Sequence, residues 1–230
     1  MDFVYICKDG SKEELRYSIR SVVESFPDST IWVVGGKPTW YSGNYINVKQ
    51  VLTKYRNAIQ NLKAICSSND ISEKFILMND DFYIVKNISF IDTYHGGLLL
   101  DKINLYQKIN PNSNYTRKLS ATYKKIKSLG IDSPLDYELH VPMVMEKQKL
   151  KQILENNDQF LWRSIYGNIF NVGGKQMEDV KVYSKGPLVL KSYNLNKEEH
   201  VYLSSADTSF DIILNSILRK QFVEKTKYEK

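Results

Sequence analysis

The sequence predicts an α/β protein with a mostly parallel central sheet flanked by helices, folded as a single domain over residues 1 to 230. Three observations carry this. Strand-like runs alternate with amphipathic helical stretches through the first half of the chain, the strands are continuously apolar, and each ends abruptly in polar residues or glycines. Continuous apolar strands belong to sheets buried on both faces, the condition of parallel strands covered by helices.

The elements follow in order. "FVYIC", residues 3 to 7, is aromatic and β-branched and runs into the turn "KDG", so it predicts a strand. Ser11 and Glu14 stand at capping-box spacing, and Leu15, Ile19, Val22, Val23 and Phe26 recur at helical intervals until Pro27 stops the pattern. "TIWVV", residues 30 to 34, predicts a second strand that ends in "GGKP", and a weaker strand is expected through Tyr45, Ile46, Asn47 and Val48. From Tyr55 to Ser67, Ala58, Ile59, Leu62, Ile65 and Cys66 line one helix face, with Lys54, Asn57, Asn61 and Lys63 on the other. "FILM", residues 75 to 78, is a fully apolar strand ending at Asn79, Asp80 and Asp81.

That ending needs an explanation, because an unpaired carboxylate among residues headed for the core costs several kcal/mol. In parallel sheets ligands bind outside the carboxyl ends of the strands, where the strand order reverses. Three strand ends, "KDG", "GGKP" and "NDD", put polar groups or glycines at that rim. A pair of aspartates there suits a hard divalent cation, Mn2+ or Mg2+, bridging the diphosphate of a nucleotide-sugar co-substrate and stabilising the leaving group. An Asx-turn or helix cap would use the same residues.

Composition narrows the class. Hydrophobic content of 42% and charged content of 25% describe a globular protein, and no apolar stretch reaches membrane-span length. The N-terminus shows neither signal peptide nor anchor, so a cytoplasmic setting is expected, with no membrane partner. Cys7 and Cys66 read as small core residues. Walker, dinucleotide, CxxC and nucleophile-elbow motifs are absent, which excludes P-loop NTPases, dinucleotide enzymes, zinc ribbons and α/β-hydrolases. The net charge of +6 permits a polyanionic partner. The densest basic cluster, "RKLSATYKKIK" at residues 117 to 127, carries Lys124 and Lys125 with Tyr115 and Tyr123 interleaved. It reads either as a solvated helix face or as a contact for a nucleic-acid backbone.

The blocks "VYICKDG", "EELRYSIRSV", "GGKPTWY" and "FILMNDDFYI" resemble, in that order, those of the stealth-type sugar-phosphate transferases. They are also similar to small phage-encoded glycosyltransferases of the GT-A kind. The likeness continues through "DYELHVPMVMEKQKL" and "RSIYGN", covering about residues 2 to 170; the chain is shorter than most stealth enzymes, and its last sixty residues match nothing in them. The resemblance implies a GT-A-like fold, with about 1 to 100 binding the nucleotide-sugar and about 101 to 230 binding the acceptor.

It also implies roles. Asp80 and Asp81 resemble the metal and donor-diphosphate residues, with Asn79 beside them and Asp81 the direct ligand. His140 in "HVP" is similar to the histidine that completes a metal site, or is a turn residue before Pro142. Arg16 would face the donor phosphates, whereas Arg20 has Glu24 one turn away as a surface partner. Lys37, after two glycines, would approach the nucleotide; Asn57, Asn61 and Lys63 are further donor contacts or a solvated helix face. Arg163 resembles a phosphate clamp, with an ordinary salt bridge as the alternative. The acceptor base is sought among Asp136, Glu138 and Asp207, the last equally suited to cap the helix from Phe210 to Phe222. "INPNSNYT", residues 109 to 116, is the best candidate for a loop over the acceptor. The acceptor expected is a 5-hydroxymethylated pyrimidine in phage DNA, in the host cytoplasm; a sugar-1-phosphate transfer to a glycan, or a non-catalytic nucleic-acid-binding module, are the alternatives.

Overall fold

A computed structural model describes residues 1–10, 12–154, 159–183, 194 and 200–230. Ser11, the expected capping residue, lies outside them. Two compact units are present.

The first unit comprises residues 1–91, 140–146 and 180–230. It contains the central sheet, whose strands are β1 (Asp2–Cys7), β2 (Thr30–Gly35), β3 (Asn44–Asn47), β4 (Lys74–Asn79) and β7 (Met143–Glu146). Their order is β3-β2-β1-β4-β7. The first four run parallel, and β7 closes the edge antiparallel to β4 with Leu77 opposite Met143. Helix α1 (Glu13–Ser25) connects β1 to β2, and α2 (Lys54–Ser67) connects β3 to β4. All four expected strands and both helices are present, each within two residues of the expected bounds. Phe3 packs at a tilt against Phe26 just past α1, with ring centres 5.2 Å apart, and the Tyr5 hydroxyl pairs with Ser18 Oγ at 3.0 Å. Cys7 is buried and free, as expected.

A second sheet, with β5 (Phe82–Ile84) antiparallel to β10 (Tyr202–Ser205) and β10 parallel to β9 (Lys181–Val182), takes up the chain just after Asp81. Ser18 Oγ on α1 donates to the Phe82 carbonyl and Ser21 Oγ accepts from the Ile84 amide, so α1 is tied to both sheets. The expected C-terminal helix begins at Asp207, passes through a π-helical stretch at Phe210–Leu214, and ends at Gln221. Its apolar side, Phe210, Leu214, Leu218 and the following Phe222, packs with Tyr17, Tyr83, Val182 and Leu203.

The second unit comprises residues 92–139 and 147–179. It is helical, with α3 (Leu99–Ile109), α4 (Asn114–Ser128), α5 (Lys147–Leu154) and α6 (Trp162–Ile169), plus a two-stranded ribbon of β6 (Tyr94–His95) and β8 (Lys175–Gln176). The expected loop at 109 to 116 is shorter than its composition suggests. Ser113 caps α4 by accepting from the Thr116 amide at 3.0 Å, and Thr116 Oγ1 donates back to the Asn110 carbonyl at 2.8 Å. Among the described residues no helix is long and apolar enough to cross a membrane.

Candidate active site

The strand order reverses between β1 and β4, so their carboxyl ends mark the topological switch point of the sheet, where ligands bind in folds of this kind. β1 delivers Lys8, Asp9 and Lys12 there; β4 delivers Asn79, Asp80 and Asp81. Gly36, after β2, is needed at this rim. A Cβ on it would stand 2.6 Å from both the amide nitrogen and Oδ1 of Asp9.

The two aspartates do not share one partner. Lys12 Nζ sits 2.7 Å from Asp80 Oδ2, with only 9% of the lysine side chain exposed. Lys12 holds a left-handed backbone, φ 55°, which a residue with a Cβ adopts only when its surroundings enforce it. Asp81 Oδ2 accepts from Lys181 Nζ at 2.8 Å and from Ser204 Oγ at 2.9 Å. Both carboxylates therefore hold a lysine through Oδ2, and neither Oδ1 accepts a hydrogen bond from a described residue. Burial and the adjacent Asp81 charge raise the Asp80 carboxyl, against the pull of Lys12.

Glu14, on the first turn of α1, belongs to the same neighbourhood. Burial and then the charge of Asp80 push its carboxyl up to about 7, with Lys12 opposing and Asp207 and Asp81 adding to the rise. It accepts no hydrogen bond from a described residue. Asp207 is 81% exposed and lies 3.7 Å from Lys8. It is the first helical residue, Ala206 being the cap, so the negative charge still meets the positive end of the helix. His140 stands edge-on to Phe82, the residue after Asp81, with ring centres 6.1 Å apart, and edge-on to Tyr183, whose ring also receives the Lys181 ammonium.

The first unit thus gathers Asn79, Asp80, Asp81, His140 and Asp207 around the β4 end. Arg16 is occupied elsewhere in that unit: it donates to Glu13 and to Glu229 at 3.0 Å and lies over Trp40 at 4.4 Å. Arg20 pairs with Glu229, at 2.7 Å, and not with Glu24, because the C-terminal segment folds back across α1. Lys37 is exposed beside the Tyr45 ring, and Lys63 is exposed on α2. Asn57 closes a turn with the Leu52 backbone. Asn61, expected on the polar side of α2, is buried next to Gly35 and accepts from Gln50 at 2.9 Å.

The second unit holds the remaining expected residues. Asp136 is buried against Lys102 at 2.7 Å. Arg163 is 6% exposed and donates through Nε to the Tyr137 carbonyl at 3.1 Å. Lys124 is exposed and Lys125 half-buried on α4. Lys124 lines an open groove of about 500 Å³ with Gln107, Thr116, Arg117 and Ser120.

Lys12, Lys181 and Ser204 carry no motif that marks them in the sequence. Lys12 follows the strand-end turn and was reachable from its place; Lys181 and Ser204 come from beyond residue 170 and join Asp81 only through the pairing of β5, β9 and β10. Among the described residues no three His, Cys, Asp or Glu side chains form a ready metal set. Asp80 and Asp81 offer carboxylate oxygens, the donor type a hard cation accepts, and such an ion would complete its shell with ligand oxygens and water.

Fold and site together define an α/β protein with a cluster of paired aspartates and lysines at a topological switch point. Solved structures with a similar chain path include the galactosyltransferase LgtC in complex with donor and acceptor sugar analogues, at 10% identity over 99% of this chain and 97% of that one, TM-score 0.48. The glycosyltransferase GlyE of Streptococcus pneumoniae TIGR4 aligns at 10% identity over 97% of this chain and 60% of its own, TM-score 0.47. At these scores the likeness is loose. No family model and no curated protein sequence matches the chain.

Proposed function

We propose that this chain is a glycosyltransferase that moves a sugar from a nucleotide-sugar donor to an acceptor hydroxyl. The observation that carries the reading is the Asp80–Asp81 pair at the switch point, each with one oxygen on a lysine and one open. A nucleoside diphosphate needs positive charge beside its phosphates and a means of stabilising the further negative charge it gains when the bond to sugar C1 breaks and the electron pair stays on the phosphate oxygen. Lys12 and Lys181 supply the first, each oriented by its aspartate. Asp80 and Asp81 would hold a Mg2+ or Mn2+ ion, with His140 as the expected further ligand. Such an ion supplies Lewis acidity to the leaving diphosphate.

The other parts follow the same economy of charge. Asn79 stays at the end of β4 beside the pair, and Lys37 and Lys63 remain exposed cations available to the donor. Glu14, whose carboxyl is pushed up to about 7, and the exposed Asp207 are the first unit's candidates for the acceptor base. The acceptor proposed is a hydroxymethylated pyrimidine in phage DNA, contacted by Lys124 and Lys125 on α4. Transfer of a sugar-1-phosphate to a glycan is the companion reading supported by the "ELRYSIRS" block; mass spectrometry separates the two by whether phosphate stays in the product.

Thermal shifts with nucleoside diphosphates and nucleotide-sugars, with and without Mn2+, test the donor site. A nucleotide-selective shift that needs both metal and Asp81 is expected, and Asp81→Asn should abolish it. The exposed basic face of α4 favours a second reading, a non-catalytic nucleic-acid-binding module. Salt-dependent DNA binding that survives Asp81→Asn, with no donor turnover, would replace the enzyme reading by that one.

A further inference from the structure

The connection from β3 to α2 in the first unit lies in an acid-free stretch of the chain. Between Asp28 and Asp70 there is no Asp or Glu, against five cations, Lys37, Lys49, Lys54, Arg56 and Lys63, all of them exposed. Lys37 lies over the Tyr45 ring at 5.2 Å. Lys49, Lys54 and Lys63 have no hydrogen-bond or ion-pair partner among the described residues. Asp9, against Gly36, is the acid that β1 brings toward this edge of the sheet.

At the middle of the connection two aliphatic side chains face solvent, Val51 at 79% exposure and Leu52 at 45%. The loop that carries them is pinned. Gln50 Nε2 donates to the Val48 carbonyl and to Asn61 Oδ1, both at 2.9 Å. Asn57 Oδ1 accepts from the Leu52 amide, and its Nδ2 donates to the Leu52 carbonyl, each at 2.9 Å. The loop's amide side chains are thus turned onto its own backbone and onto α2. What it offers outward is aliphatic carbon between two free ammonium groups, Lys49 and Lys54. A loop fixed in advance loses little further conformational freedom on docking.

Cations without acids suit any polyanion, and the aliphatic pair narrows the choice. A nucleic-acid backbone is met chiefly by hydrogen-bond donors, whereas a bilayer surface takes apolar carbon at its headgroup boundary and ammonium groups beside its phosphates. We propose that the loop from Val48 to Lys54 docks on an anionic lipid bilayer, with Val51 and Leu52 entering the interface and Lys49 and Lys54 meeting lipid phosphates. The expectation of no membrane partner rested on the lack of a span or anchor, and surface docking requires neither. β1 to β4 run parallel, so this loop leaves the sheet at the same end as Asp80 and Asp81. The proposal does not rest on the donor-site reading.

Co-sedimentation of the full chain with vesicles of phosphatidylcholine, alone or mixed with phosphatidylglycerol, tests it. Wild type should bind the mixed vesicles, less tightly as salt rises, and leave pure phosphatidylcholine in solution. The double variant Val51→Ser, Leu52→Ser should bind the mixed vesicles about tenfold more weakly or worse. Lys49→Ala with Lys54→Ala should lose about tenfold or more at low salt and show a flatter salt dependence. All four side chains are exposed, so thermal melting should match wild type in both variants. No binding of wild type to anionic vesicles, or equal binding by the variants, overturns the docking site. DNA binding lost in the lysine variant, without vesicle binding, would give this face to nucleic acid instead. A wild-type dimer in ultracentrifugation that the serine variant breaks, again without vesicle binding, would give it to a second copy of the chain. Asp81→Asn should bind vesicles as wild type does while losing the nucleotide-selective thermal shift, so either reading can fail without the other.

Discussion

Asp81 and Lys181, 100 residues apart in the chain, are joined at 2.8 Å through Asp81 Oδ2, the same oxygen that Ser204 Oγ reaches. One carboxylate oxygen thus carries all of the side chain's hydrogen bonding, and the other accepts none from a described residue. Lys181→Met leaves Asp81 buried with only a hydroxyl partner. The variant should lose roughly 3 kcal/mol in urea denaturation, the usual cost of stripping one member of a buried pair, and Ser204→Ala about 1 kcal/mol. Millimolar Mn2+ should restore part of the Lys181→Met loss, because the ion replaces the missing positive charge. Equal stability of Lys181→Met and wild type without metal would contradict this account.

Glu14 makes a pH signature. Its carboxyl is pushed up to about 7 in the folded protein, first by burial and next by Asp80, from an ordinary value of 4.5. The folded state therefore holds a proton that the unfolded state releases, and this group's contribution to stability is fully present below about 4.5 and lost as pH rises to about 7. Glu14→Gln should remove that decline. Unfolding free energies of the two proteins, measured from pH 4 to 8, should diverge with rising pH, the variant becoming the more stable by comparison. Parallel curves would show that Glu14 titrates as an ordinary carboxylate.

The C-terminal segment is held by an opposite device. Glu229 has a fully buried side chain bonded to Arg20 and Arg16. Burial raises its carboxyl, but hydrogen bonds from Arg20, the Thr226 amide and Arg16 outweigh that and hold it below the ordinary range. Its stabilisation is present above the unfolded value and lost as pH falls through the folded one. Glu229→Gln should cost about 3 kcal/mol at pH 7 and less in acid, read by denaturant titration at both pH values. Arg20→Ala should destabilise more than Arg16→Ala, since Arg20 also donates to the Phe222 and Val223 carbonyls, at 2.8 and 3.1 Å.

On α4 the expected DNA contact is open to direct test. Replacing Lys124 and Lys125 by alanine should flatten the dependence of DNA affinity on salt by about one charge for each residue that meets a phosphate. Lys124, exposed at the groove, should account for more of the change than the half-buried Lys125. An unchanged slope in fluorescence anisotropy titrations would take this helix out of the acceptor site.

Much of the first unit was legible in the sequence because its signals are local. Apolar runs such as "FILM" and the helical spacing of Leu15, Ile19 and Val22 need no knowledge of distant residues, and α1 and β4 appear where those patterns place them. Asn61 misled for the same reason. Periodicity puts it on a polar face, but Gln50 and the bare backbone at Gly35 make a polar pocket for it. Arg16 and Arg20 likewise read as cations in search of a phosphate or a neighbouring acid, since nothing on their own helix discloses Glu229.

By itself, then, the chain determined the α/β class, the order of strands and helices, and the arrival of two adjacent carboxylates at a strand end. These follow from burial and from backbone geometry over a few residues. Only the tertiary structure decided the strand order that makes β1 and β4 neighbours, the antiparallel closing strand β7, and the partners of the aspartates. Lys181, Ser204 and Glu229 reach their sites across roughly a hundred residues or more, and a charge is answered by whichever opposite charge the packed core brings within bonding distance.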